Sequence, residues 1–426
     1  SGCGQSLFDS RGDTDGGSGG EGGGGDGPVA NMCPAGCIGD AAGDFDGSPA
    51  GSTGRWRYLD DTRSRAWTAM TATGNVFTGA ASNKITTCAE QSTAGSCGRL
   101  PGALLVSSSG AMAVADPALE FTVTADQVIQ LTLQVHVPDG AVAQIVRVYR
   151  NSREDVLATT TAMAGVTLER MIPIDALAGD RLLVAIAPGA SGAADVALHL
   201  YVSETGAVFP SNCQLALSFS AVSAANANAI EDRCGSGDAT FRNFTADTNI
   251  PPQLVAGPFP EHGLSAEMPG ADLYYLGLGT VPRVGDTTTQ MWVRHDAFVD
   301  GNGAWVFSDE DLDAGGGLAI GIYNNGGVRT LEAVTCTNPG PLMFARTLAP
   351  WPASGGWHFV RVSHTNGIVS LCLDGQRVGS FPAPAGSLRT TYAPRYGRNS
   401  FGLPSGAWFD GGLDDIRLFN TALPCD

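Results

Sequence analysis

The chain has 426 residues, enough for two or three domains with cores of their own. Its net charge of −18, with Lys84 as the one lysine, excludes a basic nucleic-acid-binding face and electrostatic docking on anionic membranes. No window reaches the ~18 consecutive apolar residues of a membrane-spanning helix, and 58 glycines with few charged residues fit a turn-rich β protein.

The opening residues Ser1-Gly2-Cys3-Gly4 resemble the end of a bacterial lipoprotein signal, where a small-small-Cys box precedes cleavage and the cysteine is lipidated. The resemblance implies export to the bacterial outer surface, lipid-anchored or released, with a lipid on Cys3 as the one link to a membrane. An ordinary terminal cysteine is the alternative. Asp9 to Pro28 is a Gly/Ser/Asp tether with no side chains to build a core, and Arg11-Gly12-Asp13 inside it reads as chance. The expected division is a start and tether over 1–32, a first domain over 33–220, a linker over 221–233 and a second domain over 234–426.

Cys33-Pro34-Ala35-Gly36-Cys37 reads as a stapled turn that closes the tether. Arg55 to Leu59 is an early strand with Trp56 and Tyr58 on one face, as core packing or as an aromatic sugar platform. Ala118–Val123, Val128–Val137, Gln144–Tyr149, Thr167–Ile174, Arg181–Ala187, Val196–Val202 and Gln214–Phe219 alternate with period two. Turns such as Pro138-Asp139-Gly140 and Ala178-Gly179-Asp180 separate them, which predicts an antiparallel sandwich. Arg147-Val148-Tyr149-Arg150-Asn151 and the run from Leu177 to Pro188 resemble jelly-roll modules of secreted bacterial carbohydrate-associated proteins.

In the second half, Trp357 to Ser363 has strand spacing, Thr365-Asn366-Gly367 turns the chain, and Ile368 to Leu373 returns. Asp374-Gly375 predicts a tight primed turn, because both residue types tolerate positive φ. Gly412 to Phe419 is a last alternating strand. In this order, and with Ala271–Tyr275 and Thr289–Val293 upstream, these motifs resemble the laminin-G-like, concanavalin-type jelly roll over Cys234 to Cys425. The expected fold class is therefore all-β, with two antiparallel β-sandwich (jelly-roll) domains after a Gly-rich N-terminal tether. The fold serves lectins, adhesion modules, hydrolases and structural domains alike.

Ten cysteines point to an oxidising compartment. In a jelly roll the first and last strands are commonly neighbours, so the resemblance suggests a Cys234–Cys425 disulfide. Cys336–Cys372 and Cys88–Cys97 follow as pairs within single domains, and Cys33, Cys37 and Cys213 stay unassigned.

No Glu-x-Asp-x-x-Glu triplet, G-x-S-x-G elbow or HExxH helix occurs, so no catalytic residue is assigned and a non-enzyme is expected. Calcium is the expected cofactor: Asp300, Asn302, Asp309 and Asp313 sit in oxygen-rich loops flanking Ala304 to Phe307, and laminin-G-like domains often hold calcium at the sandwich rim. A solvated acidic loop is the alternative. Trp351, Tyr392, Tyr396 and Trp408 lie near connections, with Arg395 and Arg398 beside them. Such rings stack on sugars and such guanidiniums fork onto uronate or sulfate, unless the group only covers the core edge. The function expected is an exported surface-binding or adhesion protein that recognises a glycan or another surface protein. The rival is an assembly protein that builds an array by self-association without binding sugar.

Overall fold

Alternation decides which face of each strand is buried. In Gln127–His136, Ile129, Leu131, Leu133 and Val135 point into a core while Gln130 and Gln134 stay half-buried on the other face. The computed structural model describes residues 36–45, 55–63, 67–88, 95–108, 115–189, 192–219, 228–235, 237–245, 248–259, 263–283, 285–298, 303–309, 316–337, 343–353, 355–384, 388, 391–398 and 408–425. The chain divides into Ser1–Met32 and one compact unit, Cys33–Asp426. Cys3 and the tether lie outside the described residues.

Two antiparallel sandwiches make up the large unit. In the first, an eight-stranded sheet built around Gln127–His136 and Ala194–Glu204 packs on a six-stranded sheet built around Gln144–Arg150, Arg181–Pro188 and Asp116–Thr122. Trp56 and Tyr58 are in its core beside Phe121 and Phe77, so they are packing residues and not a sugar platform.

In the second sandwich, Phe409–Phe419 lies between Thr287–Phe298 and, on its other side, Leu264–Met268 and Cys213–Leu217. Met291, Val293, Val360, Val362, Ile416 and Leu418 face Phe241, Leu276, Phe307, Ile320 and Leu331 of the opposing nine-stranded sheet. Asp374 and Gly375 adopt φ of 50° and 80°, the left-handed pair that a tight primed turn requires.

Two expectations are corrected. Gln214 to Phe219 belongs to the second sandwich, because Cys213–Leu217 pairs with the last strand and Leu215, Leu217 and Phe219 join its core. The boundary therefore precedes Cys213 and does not fall at 221–233. Among the described residues Cys88 pairs with Cys97 as expected, Cys213 with Cys234 and Cys372 with Cys425, so neither Cys234–Cys425 nor Cys336–Cys372 forms; Cys37 is also disulfide-bonded. Asp232 accepts from the Ala216 and Cys234 N–H groups and thereby folds Cys234 back onto Cys213. After Phe419 the chain crosses the sheet, where Leu423 binds Thr288 and Ser363, and this path delivers Cys425 to Cys372.

Candidate functional site

The residues expected to stack on sugar are largely interior. Trp351 and Tyr396 belong to the core of the second sandwich, Tyr396 against Phe307 and Trp351 against His358. Arg398 is buried beneath Phe244, Tyr275 and Trp408, with its guanidinium carbon 4.4, 4.8 and 5.5 Å from their ring centres. A guanidinium boxed by three rings has no route to a uronate or sulfate, and buried rings offer no face to a pyranose. Arg395, half-buried, sits in register with Gly277, and Tyr392 lies in a two-residue strand opposite Val281. Trp351, Tyr396, Arg398 and Trp408, all buried, offer no common exposed surface.

Of the proposed calcium ligands, Asp300, Asn302 and Asp313 lie outside the described residues. Asp309 is buried, ion-paired with Arg283 at 2.6 Å and hydrogen-bonded by the Leu318 N–H. Both of its oxygens are engaged in these contacts.

What the strands do bring together is a polar junction between the sandwiches. On Trp357–Thr365, Val360 and Val362 face inward, which turns Arg361 outward onto the first sandwich. There Arg361 pairs with Asp155 and donates to the carbonyls of Val156 (2.7 Å) and Pro424. Asp155 also binds Arg150 at 2.8 Å and the Gln290 amide at 3.1 Å. Gly375 presses on the same region, where an added Cβ would lie 3.4 Å from the Glu154 Cα. Burial pushes the Asp155 carboxyl upward, but the guanidiniums of Arg150, Arg361 and Arg417 outweigh it and hold the group below its ordinary value. Burial brings Arg361 down to about 10, still charged at neutral pH.

Beside this network opens a pocket of about 280 Å³, lined by Asn151, Ala178–Arg181, Ser218, Arg233, Asp414, Asp415 and Arg417. Its walls come from both sandwiches. The Arg417 fork donates to both Asp180 oxygens at 3.0 and 2.8 Å, while its Nε donates to Asp415 at 2.7 Å. Asn151 and the Leu177 N–H complete the shell of Asp180 at 2.9 and 3.0 Å. Burial would raise the Asp180 carboxyl, yet Arg417 holds it far below the carboxylate range; the same pairing raises Arg417. At the mouth, Arg181 donates to Glu120 (3.4 Å) and the Asn151 carbonyl (2.7 Å). Arg233 donates to Asp126 and the Ala178 carbonyl. In the sequence Ala178-Gly179-Asp180 is a turn and Asp414 to Arg417 part of a strand. Only the packing of the two sandwiches shows that they meet.

Residues 271–425 match the concanavalin A-like lectin/glucanases superfamily, in its laminin-G form. No curated protein matches the sequence. Solved structures with a similar fold include domain 4 of a GH43 extracellular arabinanase from Geobacillus stearothermophilus, in complex with arabinotriose. It is 19% identical, with 50% of this chain and 94% of that one covered and a TM-score of 0.37. A native heptameric SAP-like pentraxin from Limulus polyphemus is 15% identical over 37% and 76% of the two chains, with a TM-score of 0.29. Botulinum neurotoxin type C, from work on its dependence on two ganglioside molecules for cell entry, is 12% identical over 50% of this chain, with a TM-score of 0.36. The present chain spans about half of that toxin structure, 49%. These likenesses concern the fold alone. Residues 271–425 thus match the laminin-G form of the concanavalin A-like superfamily, within a sandwich that begins before Cys213 and docks on the one preceding it in the chain.

Proposed function

We propose that the protein is an exported, non-catalytic glycan-binding protein whose site is the junction pocket. The observation that carries this reading is the lining of the pocket, which sets three guanidiniums beside three carboxylates, the Asn151 amide and the Ser218 hydroxyl. A sugar hydroxyl both donates and accepts, so such a lining satisfies several hydroxyls at once. Ligand sites also favour domain junctions. The disulfides fit an extracellular setting, and a lipid on Cys3 is part of the proposal.

The full chain should be applied to a broad polysaccharide panel in calcium and then in EDTA. Retention on a hydroxyl-rich polymer is expected, and Ser218→Trp, which fills the pocket, should abolish it while thermal unfolding shows the variant folded. A folded wild-type chain that binds nothing on the panel overturns the reading. The EDTA arm tests the calcium proposal at Asp300, Asn302 and Asp313.

One surface favours a second reading, assembly. Thr167–Ala176 is a sheet edge with Met171 exposed, and Met163 and Val166 are exposed just before it. Sedimentation velocity of wild type against Met171→Glu tests it: a concentration-dependent oligomer lost in the variant supports assembly.

A further inference from the structure

We infer that the junction pocket selects an uncharged, polyhydroxylated sugar unit and discriminates against uronates, sulfates and sialylated ligands. This rests on the glycan-binding reading above and narrows its ligand class.

The argument is one of charge already spent. Three guanidiniums line the pocket, those of Arg181, Arg233 and Arg417, against three carboxylates, those of Asp180, Asp414 and Asp415. The two arginines at the mouth each hold a further carboxylate, Arg181 on Glu120 and Arg233 on Asp126. Arg417, the deepest, is forked onto Asp180 and bonded to Asp415. An incoming anion therefore meets no guanidinium that lacks a carboxylate.

To bind Arg417 the anion would have to displace Asp180, a carboxylate 4% exposed that would then be stranded in the interior. To reach the mouth it would approach a chain carrying −18 overall. A neutral hydroxyl has neither obstacle. It donates to the carboxylate oxygens that line the pocket and displaces no ion pair in doing so.

Size points the same way. At about 280 Å³ the space falls just below the roughly 300–1,000 Å³ range of ligand pockets, which suits a short terminal unit and not an extended chain segment. Because Asn151 and Ala178–Arg181 come from one sandwich and Ser218, Arg233 and Asp414–Arg417 from the other, neither sandwich holds the site alone.

The test compares full-length wild type, Ser218→Trp and Asp126→Asn on neutral oligosaccharides and on matched uronate, sulfated and sialylated ones. Retention is read at about 0.02 and 0.15 M salt. Neutral glycans should be retained almost equally at both salts, and Ser218→Trp should weaken them by about tenfold or more. Asp126→Asn, at a partly exposed residue, releases Arg233 from its partner and should raise retention of anionic glycans severalfold at low salt. Wild type that prefers anionic glycans in a salt-sensitive way overturns the selectivity and leaves the glycan-binding reading standing. Neutral retention indifferent to Ser218→Trp overturns the placement in this pocket. Silence on every glycan by a folded protein overturns the underlying reading itself.

Discussion

Asp155 of the first sandwich and Arg361 of the second form an ion pair in which neither side chain is more than 2% exposed. They are separated by 206 residues in sequence. Such a pair fixes the docking geometry of two sandwiches more firmly than it adds net stability, since both ions lose their water.

Removing one partner should therefore be costly. Arg361→Ala leaves Asp155 short of one guanidinium and strips the Val156 and Pro424 carbonyls of a donor. Urea unfolding should show a loss of about 3–5 kcal/mol. Replacing both ions by apolar side chains, as in Asp155→Leu/Arg361→Met, should recover much of it.

Stability should fall in two stages as the solution is acidified. His295 is fully buried, and burial followed by Arg329 pulls it down to about 4. Between about pH 6.5 and 4 the unfolded chain takes up a proton that the folded one refuses, so stability drops as pH falls, by on the order of 3 kcal/mol. Below the ordinary carboxylate value of about 4 the sign is the same: Asp155 and Asp180, both lowered, stay charged when folded while their unfolded counterparts protonate. Urea midpoints from pH 8 to 3 check this, and His295→Phe should shrink the upper stage, to which His199 and His364, also lowered by burial, still contribute, and leave the lower stage in place.

The Cys372–Cys425 bond closes a loop of 53 residues and anchors the segment whose Pro424 carbonyl accepts from Arg361. Cys372→Ser/Cys425→Ser should lower stability by roughly 4 kcal/mol on the chain-entropy account. Thermal unfolding under non-reducing conditions measures it.

Arg398 should matter to folding and not to ligand. Arg398→Leu keeps volume but loses the contacts to Phe244, Tyr275 and Trp408, a cost of about 1–2 kcal/mol for a desolvated cation–π group. Glycan retention by the folded variant should equal that of wild type.

Much of the second sandwich was legible from its strands. Val360 and Val362 announce a buried face by parity alone, and Asp374-Gly375 announces its turn by φ tolerance. Parity also turns Arg361 outward, yet it does not tell a solvated arginine from one sealed against a second sandwich. Trp351, Tyr396 and Trp408 read as exposed because they sit near connections; in a sandwich those connections cap the core, and rings there point inward. The disulfides went astray for a related reason. Which strand borders Phe409–Phe419 depends on Cys213–Leu217 crossing over from what looks like the first domain, and local sequence does not record that exchange.

That crossing decides how the gene can be cut. A fragment opened at Cys234 would lack the strand that hydrogen-bonds to Ile416–Phe419, leaving a bare row of backbone donors and acceptors beside a cysteine with no partner. Such rows recruit other chains. For grafting, shuffling or expression, the indivisible cassette is the whole of Cys33–Asp426.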